Sequence, residues 1–150
     1  MINLTIVTPE RTVYNDSIDQ VTLPTEQGEI TVMSNHIPLV SVVNPGELVI
    51  KTGSITLPFA ISGGFVQVNE NQIIILADTA ERAEEIAEDR AEEARLRAQQ
   101  ARDEKRFDTE EFAILSAKIE KELARIRVAK KYRHKGHAGL TEPELVEINQ

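Results

Sequence analysis

Apolar and polar positions alternate through the first half of the chain, whereas in the second half apolar residues recur every three or four positions. Up to about Ala77 the apolar runs are short and rich in Ile, Val and Thr: INLTIVT, SIDQVTLP, GEITVM, GELVIKTG, SITLPFAIS, GFVQVN and QIIILA. Each reads as a strand. Pro24, Gly28, Pro45-Gly46, Gly53, Gly63-Gly64 and Asn69 to Asn71 signal turns between them, because these residues fix φ or tolerate turn backbone. Many short strands with no helix-length interruption predict an antiparallel β-sandwich whose inward faces form the core.

At LADTAERAEE the period changes. Asp78 is placed to cap a helix, and Glu81 three residues on completes a capping box. Ala83, Ala87, Ala91, Ala94, Ala98 and Ala101 then recur at helical spacing as one narrow stripe, flanked by Ile86 and with Leu96 nearly opposite. Asp108 and Glu111 mark a second cap, after which Phe112, Leu115, Ile119, Leu123 and Ile126 share a bulkier face. Large side chains set against an alanine stripe predict a close antiparallel hairpin. Alanine burial yields far less than the roughly 1.5–3 kcal/mol of a leucine, so the hairpin depends on docking and its seam permits detachment. The expected organisation is an all-β sandwich over 1–78, a two-helix hairpin over 79–133, and a tail over 134–150. In that tail Gly136 and Gly139 break the helix and TEPELVEI starts a short one.

Charge sharpens this division. The net charge is -8, with eight acids against two bases up to residue 79, yet Lys118 to Lys135 carries eight bases and two acids. A basic helix with no interleaved aromatics fits an acidic protein surface better than nucleic acid. With 150 residues the chain makes one ordinary core or a small domain with an appendage. It has no cysteine, hence no disulfide or thiolate metal site. No stretch approaches a membrane span of about 20 apolar residues, so membrane contact is expected only through a partner.

No catalytic constellation emerges. His36 has no nearby carboxylate or nucleophile pattern and reads as a hydrogen-bonded loop histidine. His134 and His137 lack further ligands, so no metal site is expected. Gly63-Gly64 leads into a strand rather than a helix and reads as a tight turn or bulge, not a phosphate cradle. The acids of residues 81–93 form a solvated helix face, with pairs such as Glu93 and Arg97.

VTLPTEQGEITVMSNHIPLV (21–40), NPGELVI (44–50), AISGGFVQVNENQIIILADTAER (60–82) and the charged helix that follows resemble, in order, the epsilon subunit of bacterial-type rotary, proton-translocating ATP synthases. The resemblance runs from about residue 2 to 132. It implies a non-catalytic rotor subunit on the gamma shaft and the membrane c-ring. In that family the C-terminal hairpin folds on the sandwich or extends toward the alpha and beta subunits and impedes ATP hydrolysis. The implied partner contacts are Asn35, His36 and Pro38 on a sandwich loop, and Lys118, Lys121, Arg125, Arg127, Lys130 and Lys131 on the second helix. The implied location is peripheral, on the cytoplasmic face of the inner membrane, or on a thylakoid membrane in a photosynthetic source.

Some members bind ATP on the folded hairpin, and the matching positions here are Ile86, Arg90, Ala91, Lys121 and Arg125. The motif's acid is replaced by Ala87, and Lys121 stands where an arginine is usual and lacks its planar fork. No cofactor is therefore required, and any ATP binding is weak. The alternative from another class is a free-standing binding or chaperone-like module whose hairpin clasps client proteins. An enzyme ranks behind both.

Overall fold

The computed structural model describes residues 1–105 and 108–137. Ten strands come first: β1 (Ile2–Val7), β2 (Thr12–Ile18), β3 (Gln20–Thr25), β4 (Gly28–Met33), β5 (Leu39–Val43), β6 (Gly46–Thr52), β7 (Ile55–Ile61), β8 (Gly64–Asn69), β9 (Gln72–Ala77) and β10 (Ala80–Arg82). A short 3-10 turn, Ala83–Glu85, leads to α1 (Glu88–Glu104) and α2 (Thr109–His137).

The strands form one hydrogen-bonded ladder that folds over on itself. One layer is β4-β3-β6-β7-β10 and the other is β5-β8-β9-β1-β2, joined where Thr25 pairs with Val43. Inward residues of both layers merge into a single core that includes Leu4, Ile6, Leu23, Leu48, Ile50, Phe59, Val66, Ile73 and Ile75. Tyr14 of β2 meets Phe59 of β7 edge-on across the layers. The predicted sandwich followed by a helical hairpin is thus the observed architecture. One detail differs: β1 and β9 run parallel, because the chain crosses the sandwich between its first and ninth strands rather than turning back on itself.

SIDQVTLP does not form one strand. The ladder breaks at Asp19, whose amide donates to Lys51 O and whose carboxylate accepts from the Gly53 amide at 2.7 Å. The predicted first cap is also displaced. The amide of Asp78 donates to Gly63 O, and Thr79 donates to the Ser62 hydroxyl through both its amide and its side chain. These bonds turn the chain so that Ala80, Glu81 and Arg82 pair with Ile61, Ala60 and Phe59. The long helix therefore begins nine residues later, at Glu88, with Ala87 exposed at its N-cap. Ala87 is outside the alanine seam.

The second cap forms as expected: Asp108 Oδ1 accepts from the Glu111 amide at 3.2 Å, satisfying one of the unpaired donors at the start of α2. Gly136 does not end α2, which continues to His137; the glycine's missing side chain weakens a helix without forbidding it. Gly139 and TEPELVEI lie outside the described residues.

In place of the expected tight turn, Gly63 and Gly64 carry the chain from β7 in one layer to β8 in the other, at φ +116° and +148°. A Cβ on Gly64 would stand 1.9 Å from Leu76 O, so only glycine lets β8 pair with β9 there. Gly64→Ala is expected to lower the stability of the fold by about 2–4 kcal/mol in denaturant unfolding. Gly28→Ala, at φ +113° with open space around it, should cost about 1 kcal/mol. Equal losses would contradict this account of Gly64.

Candidate functional site

The two layers have outward faces of different chemistry. On the first, strand pairing sets Glu47 of β6, Ala60 of β7 and Glu81 of β10 side by side in one row. Successive strands lie about 4.8 Å apart, and three residues of α-helix rise about 4.5 Å. A helix laid across the strands therefore meets this row every third residue. α2 does so, bringing Arg125 to Glu81, Val128 to Ala60, and Lys131 with Tyr132 to Glu47.

At the centre Ala60, Ala83 and Val128 form a small buried cluster, with Ile86 and Tyr132 packed against it. Ala60 is only 2% exposed although it points away from the sandwich core, because α2 covers it. At one end of the row Arg125 Nε and Nη2 each lie 3.1 Å from Glu81 Oε2, while Nη1 donates to Glu122 Oε2 at 2.7 Å. The planar fork thus serves two carboxylates at once, which an ammonium group could not match. Burial disfavours the charge on Arg125, but hydrogen bonds and charges from Glu122 and Glu81 outweigh it and raise its pKa. At the other end Lys131 Nζ donates to Glu47 Oε2 at 2.7 Å, and the Tyr132 hydroxyl donates to Glu47 Oε1. Burial, together with the hydrogen bond and charge of Glu47, pushes the Tyr132 hydroxyl well above its ordinary pKa. Arg133 reaches Glu88 of α1 at 2.9 Å.

The predicted contact residues of α2 therefore divide. Arg125 and Lys131 are held by the sandwich, while Lys118, Arg127 and Lys130 are exposed and Lys121 is half-buried. Arg127 also donates to Leu123 O of its own helix, at 3.4 Å. Between the helices, Ala91 and Ala98 are buried on α1, as are Ile119, Ile126 and Ala129 on α2. A cavity of about 310 Å³ remains in this seam, lined by Ala94, Ala98, Ala101, Leu115 and Glu122 among others. On α1, Glu92 pairs with Arg95 at 2.6 Å and Arg102 lies 4.0 Å from Asp103.

The residues matched to a nucleotide motif are Ile86, Arg90, Ala91, Lys121 and Arg125. Ile86 lines a cavity of about 520 Å³ between sandwich and arm, with Leu57, Pro58, Arg82, Tyr132 and Arg133. Arg90 is exposed, Ala91 is buried under α2, and Arg125 is occupied by two carboxylates. Among the described residues, no group of three or more His, Asp or Glu is arranged to hold a metal. The side chains of His134 and His137 lie outside the described residues.

The outward face of the other layer is polar over much of its area, with Thr5 bonded to Asn15 and Ser17 to Asn3, but it carries one apolar row. Pairing aligns Val42, Phe65, Leu76 and Val7 in a row across β5, β8, β9 and β1. Phe65 is 57% and Leu76 55% exposed. At the other end of β5, the β4–β5 loop presents exposed Asn35, Ile37 and Pro38. Asn35 adopts φ 65°. The His36 amide donates to Met33 O, and its Nδ1 lies 2.7 Å from Ile37 O, so His36 shapes this loop as expected of a loop histidine. Sequence reasoning missed Glu47, Ala60, Glu81, Val128 and Tyr132. A second stripe, Ala124, Val128 and Tyr132 at spacings of four, was the available signal.

A family model for the ATP synthase delta/epsilon chain β-sandwich domain matches residues 1–83. The chain is 44% identical to the ATP synthase epsilon chain of Herpetosiphon aurantiacus, covering 89% of this chain and 98% of that one. The epsilon chain of Dehalococcoides mccartyi is 37% identical, covering 88% and 94% respectively. Among solved structures, the fold is similar to a chain of the Euglena gracilis mitochondrial ATP synthase OSCP/F1/c-ring assembly. The TM-score is 0.67 and the identity 24%, covering 79% of this chain and 75% of that one.

The raised pKa of Tyr132 fixes the sign of an alkaline effect. The docked arm binds the neutral hydroxyl, so this contribution is complete below the ordinary tyrosine value of 10.0 and is lost as pH rises beyond it. NMR spectra of α2 should show the arm loosening at alkaline pH, and Tyr132→Phe should remove that transition. A Tyr132 hydroxyl titrating at the ordinary value would contradict the assignment.

Proposed function

The chain belongs to the ATP synthase epsilon-chain family, and on that premise we propose that it is a non-catalytic central-stalk subunit whose helical arm restrains ATP hydrolysis. One observation carries the reading: the sandwich seats its own helix on one outward face and leaves a bare apolar row on the other. The row Val42, Phe65, Leu76 and Val7 supplies a flat, dehydratable surface for the gamma shaft. The loop of Asn35, His36 and Pro38 meets the c-ring. Contact with the membrane then runs through the rotor, on its cytoplasmic face. Among the described residues no helix is long and apolar enough to cross a membrane.

The arm supplies regulation. In the extended state Lys118, Lys121, Arg127 and Lys130, joined by released Arg125 and Lys131, meet acidic surface on the alpha and beta subunits. Nucleotide on the arm is not required, because Ala87 offers no carboxylate and Arg125 is already paired within the chain.

Two variants of the assembled complex test this. Phe65→Asp with Leu76→Asp should abolish co-purification with the shaft, since it sets two charges into an apolar contact. Truncation after Glu85 spares β10 and removes both helices, and should raise ATP hydrolysis. Failure of the unaltered chain to co-purify with the shaft would favour a free-standing client-binding module, retained co-purification of the double variant would put the shaft contact on another surface, and unchanged hydrolysis would leave a coupling role without inhibition.

A further inference from the structure

We propose that the row Glu47–Ala60–Glu81 is a carboxylate clasp that sets how often the arm is docked, and that it does so without a nucleotide. Between the two glutamates lies a small apolar seat, Ala60 and Ala83 with Val128, and Ile86 and Tyr132 packed against its rim. So small a cluster is a slight apolar hold for a 29-residue helix. The charged ends complete the grip: Glu81 on Arg125 and Glu47 on Lys131 and Tyr132. Their positions bracket the seat at the helix repeat, so both close only when Val128 sits on Ala60.

The clasp also controls what the arm presents. Docked, it cancels Arg125 and Lys131, two of the cations assigned above to the extended contact. Released, the arm regains Lys131 and the side of Arg125 that faced Glu81, while Arg125 keeps Glu122 of its own helix, and the sandwich row regains two free carboxylates. Undocking and full display of the basic face are then one event, and a partner with an acidic surface draws the equilibrium toward release by competing with Glu47 and Glu81 for the same groups. This deepens the inhibitory reading by naming what holds the arm back, but its test does not depend on inhibition.

The experiment reads arm position in the isolated full chain. The sequence has no cysteine, so Ser54→Cys on the sandwich and Glu120→Cys on α2, both exposed, place two spin labels. Their distance distribution is measured by double electron–electron resonance. Glu47→Gln and Glu81→Gln keep shape and remove charge. Each is expected to raise the ratio of released to docked chains about fivefold, while Glu29→Gln, an exposed acid on β4, changes nothing. Glu47→Lys should release the arm, and adding Lys131→Glu should return it. Millimolar MgATP should leave the wild-type distances as they are. Distributions unchanged in both glutamine variants, or an exchanged pair that fails to redock, would overturn the clasp. A shift toward the docked distance on adding MgATP would overturn its independence of nucleotide.

Discussion

The docking of α2 depends on a coincidence of two repeats, the spacing of strands in a sheet and the rise of three residues along a helix. Because they nearly agree, a helix laid across β10, β7 and β6 meets one sheet residue per strand with every third or fourth of its own. Here those meetings are Arg125 with Glu81, Val128 with Ala60, and Lys131 and Tyr132 with Glu47. A larger residue at position 60 would lift the helix and open both ion pairs. The smallness of Ala60 and the charge of its neighbours therefore act together.

The sandwich carries two surfaces with opposite physical character. The row under α2 is mostly charge at its ends, so its grip is screened by salt and open to competition. The row Val42, Phe65, Leu76 and Val7 is apolar, which suits a contact that does not exchange. In the proposed reading, the apolar row holds the rotor and the charged row lets the helix leave.

Much of the fold was legible because its signals were local. Period-two runs marked seven strand segments, Gly63-Gly64 marked the break between two of them, and Asp108 marked the start of α2. The failures were non-local. Asp78 and Glu81 look like a capping box, but the hydroxyl of Ser62 and the free edge of β7 lie in space beside them. Those partners outcompete the helix for residues 80–82. Parallel pairing of β1 with β9 is likewise invisible to periodicity. At the candidate site the basic stripe on α2 was visible in the sequence, but its capture by Glu47 was not foreseen, because the residues that meet are 84 and 85 positions apart. The family resemblance carried the assignment where local pattern could not.

The central claim is that the arm rides on a stable sandwich by a separable, weaker attachment. Native-state hydrogen exchange tests this most directly, comparing amides of Ala124 to Val128 in α2 with amides of Leu4 and Ile75 in the paired strands β1 and β9. The account predicts that the helix amides exchange through local opening at least about 100-fold faster than the strand amides. Equal protection, with both exchanging only through global unfolding, would contradict it.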